Sequence, residues 1–145
     1  MTTSAKFAKS LVVVQSAAAT AAATAAALAQ APGADEVALT AVTTSMAWGI
    51  AKIYDTKATG EGIAAFLAIA FGATFGTRLA TKLISWFPVI GNAANATSTF
   101  VLHQLIGFAL IGFCELCQRE GRQPNISDFD GSRIEEYIKF VKDNQ

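Results

Sequence analysis

The amino-acid sequence predicts an all-α protein with four long helices, arranged as two antiparallel hairpins, and a short amphipathic C-terminal helix. Two observations carry this prediction. Segments rich in helix-forming residues are separated by breaks that contain the three prolines, and apolar or small residues recur at helical spacing within those segments. Of the 145 residues, 52% are hydrophobic and 15% are charged, so we expect one apolar helical body.

The first two helices are predicted on either side of a turn at Pro32-Gly33. Residues 4–30 are rich in alanine and contain neither glycine nor proline, which favours a helix. The second helix opens at Asp35, since an acidic side chain suits a helix N-terminus, and Thr59-Gly60 supplies the next turn. One face of this helix collects apolar residues: Val42, Met46, Ile50 and Ile53.

The third helix is predicted from about Glu61 to Trp86 and the fourth from about Ala93 to Arg119, with a break at 87–92 between them. The third helix carries small residues at four-residue spacing: Ala64, Ala68, Gly72, Gly76 and Ala80. Such spacing places them on one stripe of the helix. A stripe without bulky side chains lets a second helix approach closely, so these five residues are predicted to pack helices together in a homo-oligomer.

The distribution of charge predicts a membrane or tightly membrane-associated protein. From residue 62 to residue 114 the only Asp, Glu, Lys or Arg side chains are Arg78 and Lys82. The uncharged stretch from Val89 to Cys114 has 26 residues, enough to cross a bilayer. If all four helices span, both termini lie on the side that is richer in lysine and arginine, which predicts cytoplasmic termini. Arg78 and Lys82 are then expected to contact lipid headgroups or a partner.

A histidine in the middle of the fourth helix is the clearest polar candidate. His103 lies among apolar residues, and an ionisable group at membrane depth is a functional hypothesis by default. His103 and Thr99 therefore form a candidate intramembrane polar site. The structural alternative is a neutral histidine that is hydrogen-bonded to Thr99 or to Gln104.

The last segment differs from the apolar body, which we place at residues 1–120. Residues 121–145 are predicted to form a water-exposed loop and a short helix, which a capping box of Ser132 and Glu135 would start. The apolar face of that helix consists of Ile134, Tyr137, Ile138 and Val141. We expect the helix to dock through this face on the body or on a partner.

No pattern predicts an enzyme, a cofactor or a metal site. Cys114 and Cys117 match C-x-x-C, but they lie near the C-terminal end of a helix, whereas a redox motif needs the N-terminal end. The only histidine is three turns from Cys114, and a zinc site would need further ligands. The two cysteines are therefore predicted to be packing residues. The net charge is zero, which gives no field that would attract nucleic acid.

Two runs of sequence resemble a known family. The first is Pro32-Gly33-Ala34-Asp35 with Ala38 to Val42, Met46-Ala47 and Ile50-Ala51-Lys52-Ile53-Tyr54; the second is Leu83 to Asn92, followed by Thr99 and Gly107. Over roughly residues 17–115 the chain resembles the YcjF-like helical family, domain-of-unknown-function family 697. The resemblance implies a membrane protein that acts with an Era-like or dynamin-like GTPase, and it implies no catalytic residues. Asp55 departs from the glycine that the family usually has after the tyrosine.

The leading functional prediction is therefore a non-enzymatic membrane-associated helical protein that self-associates and acts with a GTPase partner. A soluble or peripheral homo-oligomeric scaffold is one alternative. An oligomeric pore lined by polar residues such as Thr20, Thr24 and His103 is another.

Overall fold

The computed structural model describes residues 5–27, 34–75 and 95–145, and the described residues form helices and turns without a named β-strand. The all-α prediction is confirmed for these residues. The helices are α1 (Ala5–Ala27), α2 (Ala34–Ile53), α3 (Gly60–Phe75), α4 (Asn95–Arg119) and α5 (Ile134–Asn144). Two 3-10 turns, Ile126–Asp128 and Gly131–Arg133, connect α4 to α5. The predicted break at 87–92 and the end of the third helix lie outside the described residues.

The alanine-rich helix α1 has a core-facing side on which Phe7 and Val14 are the large residues and the others are small. Its fully buried positions follow helical spacing: Phe7, Ser10, Val14, Ala18 and Ala21. Such spacing keeps every buried side chain on one face of a helix. Helix α2 lies beside it, with Val13 close to Gly49. Lys6 at the start of α1 lies 3.7 Å from Asp55 just after α2, so the two helices run in opposite directions.

Helix α4 lies at the centre of the molecule. Every residue from His103 to Glu115 is buried, and α4 packs against all four of the other described helices. Two glycines allow this close packing. A Cβ at Gly107 would overlap the side chain of Val14 in α1, and one at Gly112 would overlap the main chain of Tyr137 in α5. The apolar stretch of α4 is therefore covered by protein in this part of the chain.

The C-terminal helix α5 docks on the helical body through the predicted face. Ile134, Tyr137, Ile138 and Val141 are all buried, and they belong to the same core as α4. Edge-to-face ring contacts join Phe129 to Phe66 of α3 at 4.7 Å and to Phe113 of α4 at 5.6 Å. Docking on the body, one of the two predicted outcomes for this helix, is confirmed.

The capping box predicted for α5 is wrong. Asp130 provides the local cap instead, because its carboxylate accepts hydrogen bonds from the main-chain N–H of Ser132 at 2.9 Å and from its hydroxyl at 2.6 Å. The residue before α5, Arg133, makes no side-chain cap. A 3-10 turn thus precedes the helix and moves the cap two residues towards the N-terminus.

Two loops meet at the end of the molecule where α2 and α4 finish. The main-chain N–H of Lys57 donates to Pro124 O, and the N–H of Ile126 donates to Lys57 O, both at 2.9 Å. Asp55, two residues after the end of α2, has a positive φ of 51°, in the left-handed region that favours glycine. These bonds fix the α2–α3 loop against the α4–α5 loop.

No helix among the described residues combines the length and the hydropathy that crossing a bilayer requires. The predicted membrane spans therefore have no support in this part of the chain.

Candidate functional site

Paired polar side chains lie inside the bundle, and they join α4 to α1, to α2 and to residues that directly follow α2. They form two groups along α4. The first contains His103 and Gln104, and the second contains Cys114 and Glu115 three turns later. All four residues are buried.

The first group joins α4 to both helices of the α1–α2 pair. A hydrogen bond of 2.6 Å joins His103 Nε2 to Thr43 Oγ1, and both residues are buried. Gln104 Nε2 donates to Gln15 Oε1 at 3.0 Å. Thr43 is therefore the partner of His103 in the described structure, whereas Thr99 or Gln104 is the partner expected from the sequence. The side chain of Thr99 lies outside the described residues.

The second group is centred on a buried carboxyl group. The Tyr54 hydroxyl donates to Glu115 Oε1 at 2.7 Å, and burial is the main cause that raises the pKa of Tyr54 far above its usual value, with the Glu115 hydrogen bond second. Ser10 is buried near the same hydroxyl, without a hydrogen bond of good geometry to a described residue. This pairing anchors the end of α2 to α4.

The two cysteines are free, buried thiols in the core, so the prediction that they are packing residues is confirmed. Burial raises the pKa of the Cys114 thiol to about 12, against a smaller opposing effect of its contact with Thr56. The Thr56 hydroxyl lies 3.4 Å from Cys114 Sγ. A thiol that stays protonated at neutral pH is a poor nucleophile and a poor metal ligand. The described residues contain no group of three His, Cys, Asp or Glu side chains that could hold a metal ion.

The structure describes only part of the predicted small-residue stripe. Ala64 and Ala68 are exposed, whereas Ile63, Phe66 and Leu67 of the same helix are buried. The stripe therefore begins on the outer face of α3 and not on the face that packs against the core. The backbone of Gly72 lies in α3, while Gly76 and Ala80 lie outside the described residues, as do Arg78 and Lys82.

Two of the residues predicted to line a pore, His103 and Thr20, do not share one surface. His103 is buried in the core, whereas Thr20 is exposed and its hydroxyl donates to the main-chain oxygen of Ser16 at 2.8 Å. The side chain of Thr24 lies outside the described residues.

The close-packing residues that sequence reasoning missed are Gly107 and Gly112. They are five positions apart and interrupt a run of large apolar residues in α4. A glycine within a strongly apolar helix is a signal of close backbone approach, since it otherwise costs helix stability. The sequence contains this signal in α4, but close packing was predicted only for α3, because of its regular stripe of small residues.

Comparison of the chain with protein-family models, curated proteins and solved structures finds no match. The resemblance to the YcjF-like family therefore stays a prediction.

Proposed function

We propose that this protein is a non-enzymatic helical scaffold that self-associates through the outer face of α3. The observation that carries the proposal is the exposure of Ala64 and Ala68 on a helix whose opposite side is buried. Ala65 is also exposed, and Ile69 retains 41% of its accessible surface. This outer face carries no charge over two turns.

A face of this kind suits a second copy of the same helix. Alanine at four-residue spacing allows two backbones to approach closely, as in small-residue helix packing. The exposed part of Ile69 would add apolar area at the edge of such a contact. A two-fold arrangement would bury the same face of both copies, as in most homodimers. The same proposal extends the self-association face through Gly72, Gly76 and Ala80. It also includes the pairing of the third and fourth helices as a second hairpin.

The test is to place a charge on this face and measure the mass of the particle. Ala68→Glu should shift an oligomer to monomer in sedimentation-velocity experiments, because the carboxylate would have to be buried without a partner. Ala19→Glu on α1 is the matched control, since Ala19 is also an exposed alanine within a helix. A monomeric wild-type protein, or equal masses for all three proteins, would contradict the proposal.

Membrane attachment and a GTPase partner are further proposals that come from the sequence alone. The scarcity of charge between Glu61 and Glu115 supports the first, and the family resemblance supports the second. Extraction of cell membranes with alkaline carbonate separates the cases. An inserted protein stays in the pellet, whereas a scaffold that associates only with itself passes to the supernatant.

A further inference from the structure

An open groove with a volume of about 540 Å³ lies where α2 meets the α2–α3 loop. This volume is within the range of small-molecule sites. Its lining includes Trp48, Lys52, Asp55, Thr56, Lys57 and Gln123. Apart from Thr56, which contacts Cys114, none of them belongs to the two polar groups along α4, and none belongs to the outer face of α3.

Hydrogen bonds hold the walls of the groove in place. Gln123 Nε2 donates to Asp55 O at 2.9 Å. The main chain of Lys57 pairs with Pro124 and Ile126 on the α4–α5 loop. At the base, the Thr56 hydroxyl contacts Cys114 of the central helix. A site that is fixed before binding loses little conformational entropy when a ligand enters.

The lining residues favour an anion. Lys52 and Lys57 are exposed, and neither forms an ion pair with the described residues. Asp55 is the one acid in the lining, and its carboxylate lies 3.7 Å from Lys6. The last carbonyls of α2 would otherwise repel an anion. Three of these carbonyl oxygens are instead hydrogen-bonded by the main chain that follows α2. The N–H groups of Tyr54, Asp55 and Thr56 donate to Ile50 O, Lys52 O and Ala51 O, respectively.

The remaining feature of the groove is an exposed aromatic ring. Trp48 retains 41% of its accessible surface, which is unusual for such a large apolar side chain. An exposed indole offers a flat apolar surface against which a ring or a chain can pack. Lysine is a common partner of phosphate. The groove thus combines a recognition surface for an organic group with two lysines that form no ion pair with the described residues.

We propose that this groove binds a compound that carries a phosphate monoester. The Lys52 and Lys57 ammonium groups contact the phosphate, and the organic part packs on the Trp48 indole. A soluble metabolite and a phosphorylated lipid headgroup share this chemistry. The proposal is independent of self-association through α3, because the two surfaces have no residue in common.

The first experiment uses Trp48 as the reporter. The chain has two tryptophans, so Trp86→Phe leaves Trp48 as the only one. Titration of this variant with phenyl phosphate should change the indole fluorescence saturably, with a dissociation constant on the order of 1 mM or lower. Inorganic phosphate and phenol, each with half of the required chemistry, should bind more weakly.

Charge removal then tests the role of the lysines. In the Trp86→Phe background, the double variant Lys52→Gln, Lys57→Gln should bind phenyl phosphate about tenfold more weakly or worse, since two charged contacts are lost. Lys9→Gln with Lys142→Gln removes two cations outside the groove and should leave the affinity unchanged. Circular dichroism of each variant establishes that the helical fold is retained.

A vesicle arm distinguishes the two sources of phosphate. The protein is sedimented with phosphatidylcholine vesicles that contain phosphatidic acid. Sedimentation that is lost in the double variant Lys52→Gln, Lys57→Gln would assign the site to a lipid headgroup. Binding of phenyl phosphate without sedimentation would assign it to a soluble compound. No fluorescence change up to about 10 mM phenyl phosphate together with no sedimentation would overturn the proposal. Equal binding by the lysine variant and its control would also overturn it.

Discussion

Gly112 is the position where a single methyl group should disturb this fold most directly. A Cβ at this position would overlap the carbonyl oxygen, the carbonyl carbon and the Cα of Tyr137. All three atoms belong to the main chain of α5, so no side-chain rotation can relieve the overlap. In Gly112→Ala the whole of α5 must move away from α4.

The expected cost follows from two opposing effects. Overpacking against a backbone belongs at the upper end of the usual range, about 3 kcal/mol. Replacing a glycine by alanine within a helix recovers about 1 kcal/mol of helix propensity. The net loss in the free energy of unfolding should therefore be about 2 kcal/mol. A complete release of α5 would cost more, because its four buried side chains would then meet water.

The assay is urea denaturation followed by circular dichroism at the helical band. Gly60→Ala is the matched control, because a Cβ at this first residue of α3 has no neighbour within 4 Å. The control should be neutral or slightly stabilising. If Gly112→Ala unfolds at the same urea concentration as Gly60→Ala, the close contact between α4 and α5 does not exist and the described packing is wrong.

Three further predictions test the second polar group and its surroundings. Tyr54→Phe should destabilise the protein by about 2 kcal/mol, since it removes a hydrogen bond from buried Glu115; a double-mutant cycle with Glu115→Gln should show coupling. Asp55→Gly should stabilise by about 1 kcal/mol, because it relieves a left-handed residue; an unchanged or lower melting temperature would contradict this. Burial raises the pKa of the Cys114 thiol from 9.0 to about 12 in the folded protein. The protonated Cys114 thiol should contribute its full stabilisation below pH 9. The free energy of unfolding should then decrease between pH 9 and 12, since this thiol loses its proton at a lower pH in the unfolded chain than in the folded protein. Urea titrations at several pH values should show a shallower decline for Cys114→Ala.

Within the described residues, local sequence patterns were sufficient to predict which segments are helical and which face of α5 is buried. The first helix was predicted at 4–30 and is described from Ala5 to Ala27, and the fourth was predicted to end at Arg119, as observed. The face of α5 follows from the spacing of Ile134, Tyr137, Ile138 and Val141, which helical periodicity fixes without knowledge of the rest of the fold. Each of these features depends on residues that are close in sequence.

The polar pairs of the core depend on contacts that no local pattern encodes. His103 is 60 residues from Thr43, and Tyr54 is 61 residues from Glu115. Which residues meet depends on the register of α4 against the α1–α2 pair, and that register is set by the packing of many side chains together. The groove at Trp48 is lined mostly by residues 48–57 of α2 and the α2–α3 loop, and only its contact with Gln123 of the α4–α5 loop depends on residues far apart in sequence.

The apolar character of α4 fits two environments, because a helix that is hydrophobic on all sides is buried either in lipid or in protein. In the described structure the surrounding helices cover it, and its polar side chains find partners on two of them. Sliding α4 by one turn would separate His103 from Thr43, Gln104 from Gln15 and Glu115 from Tyr54 at once. Each unpaired buried group would cost about 1–3 kcal/mol. The polar pairs therefore reinforce the register that the close contacts at Gly107 and Gly112 also require, which is a role that buried polar residues also have in coiled coils.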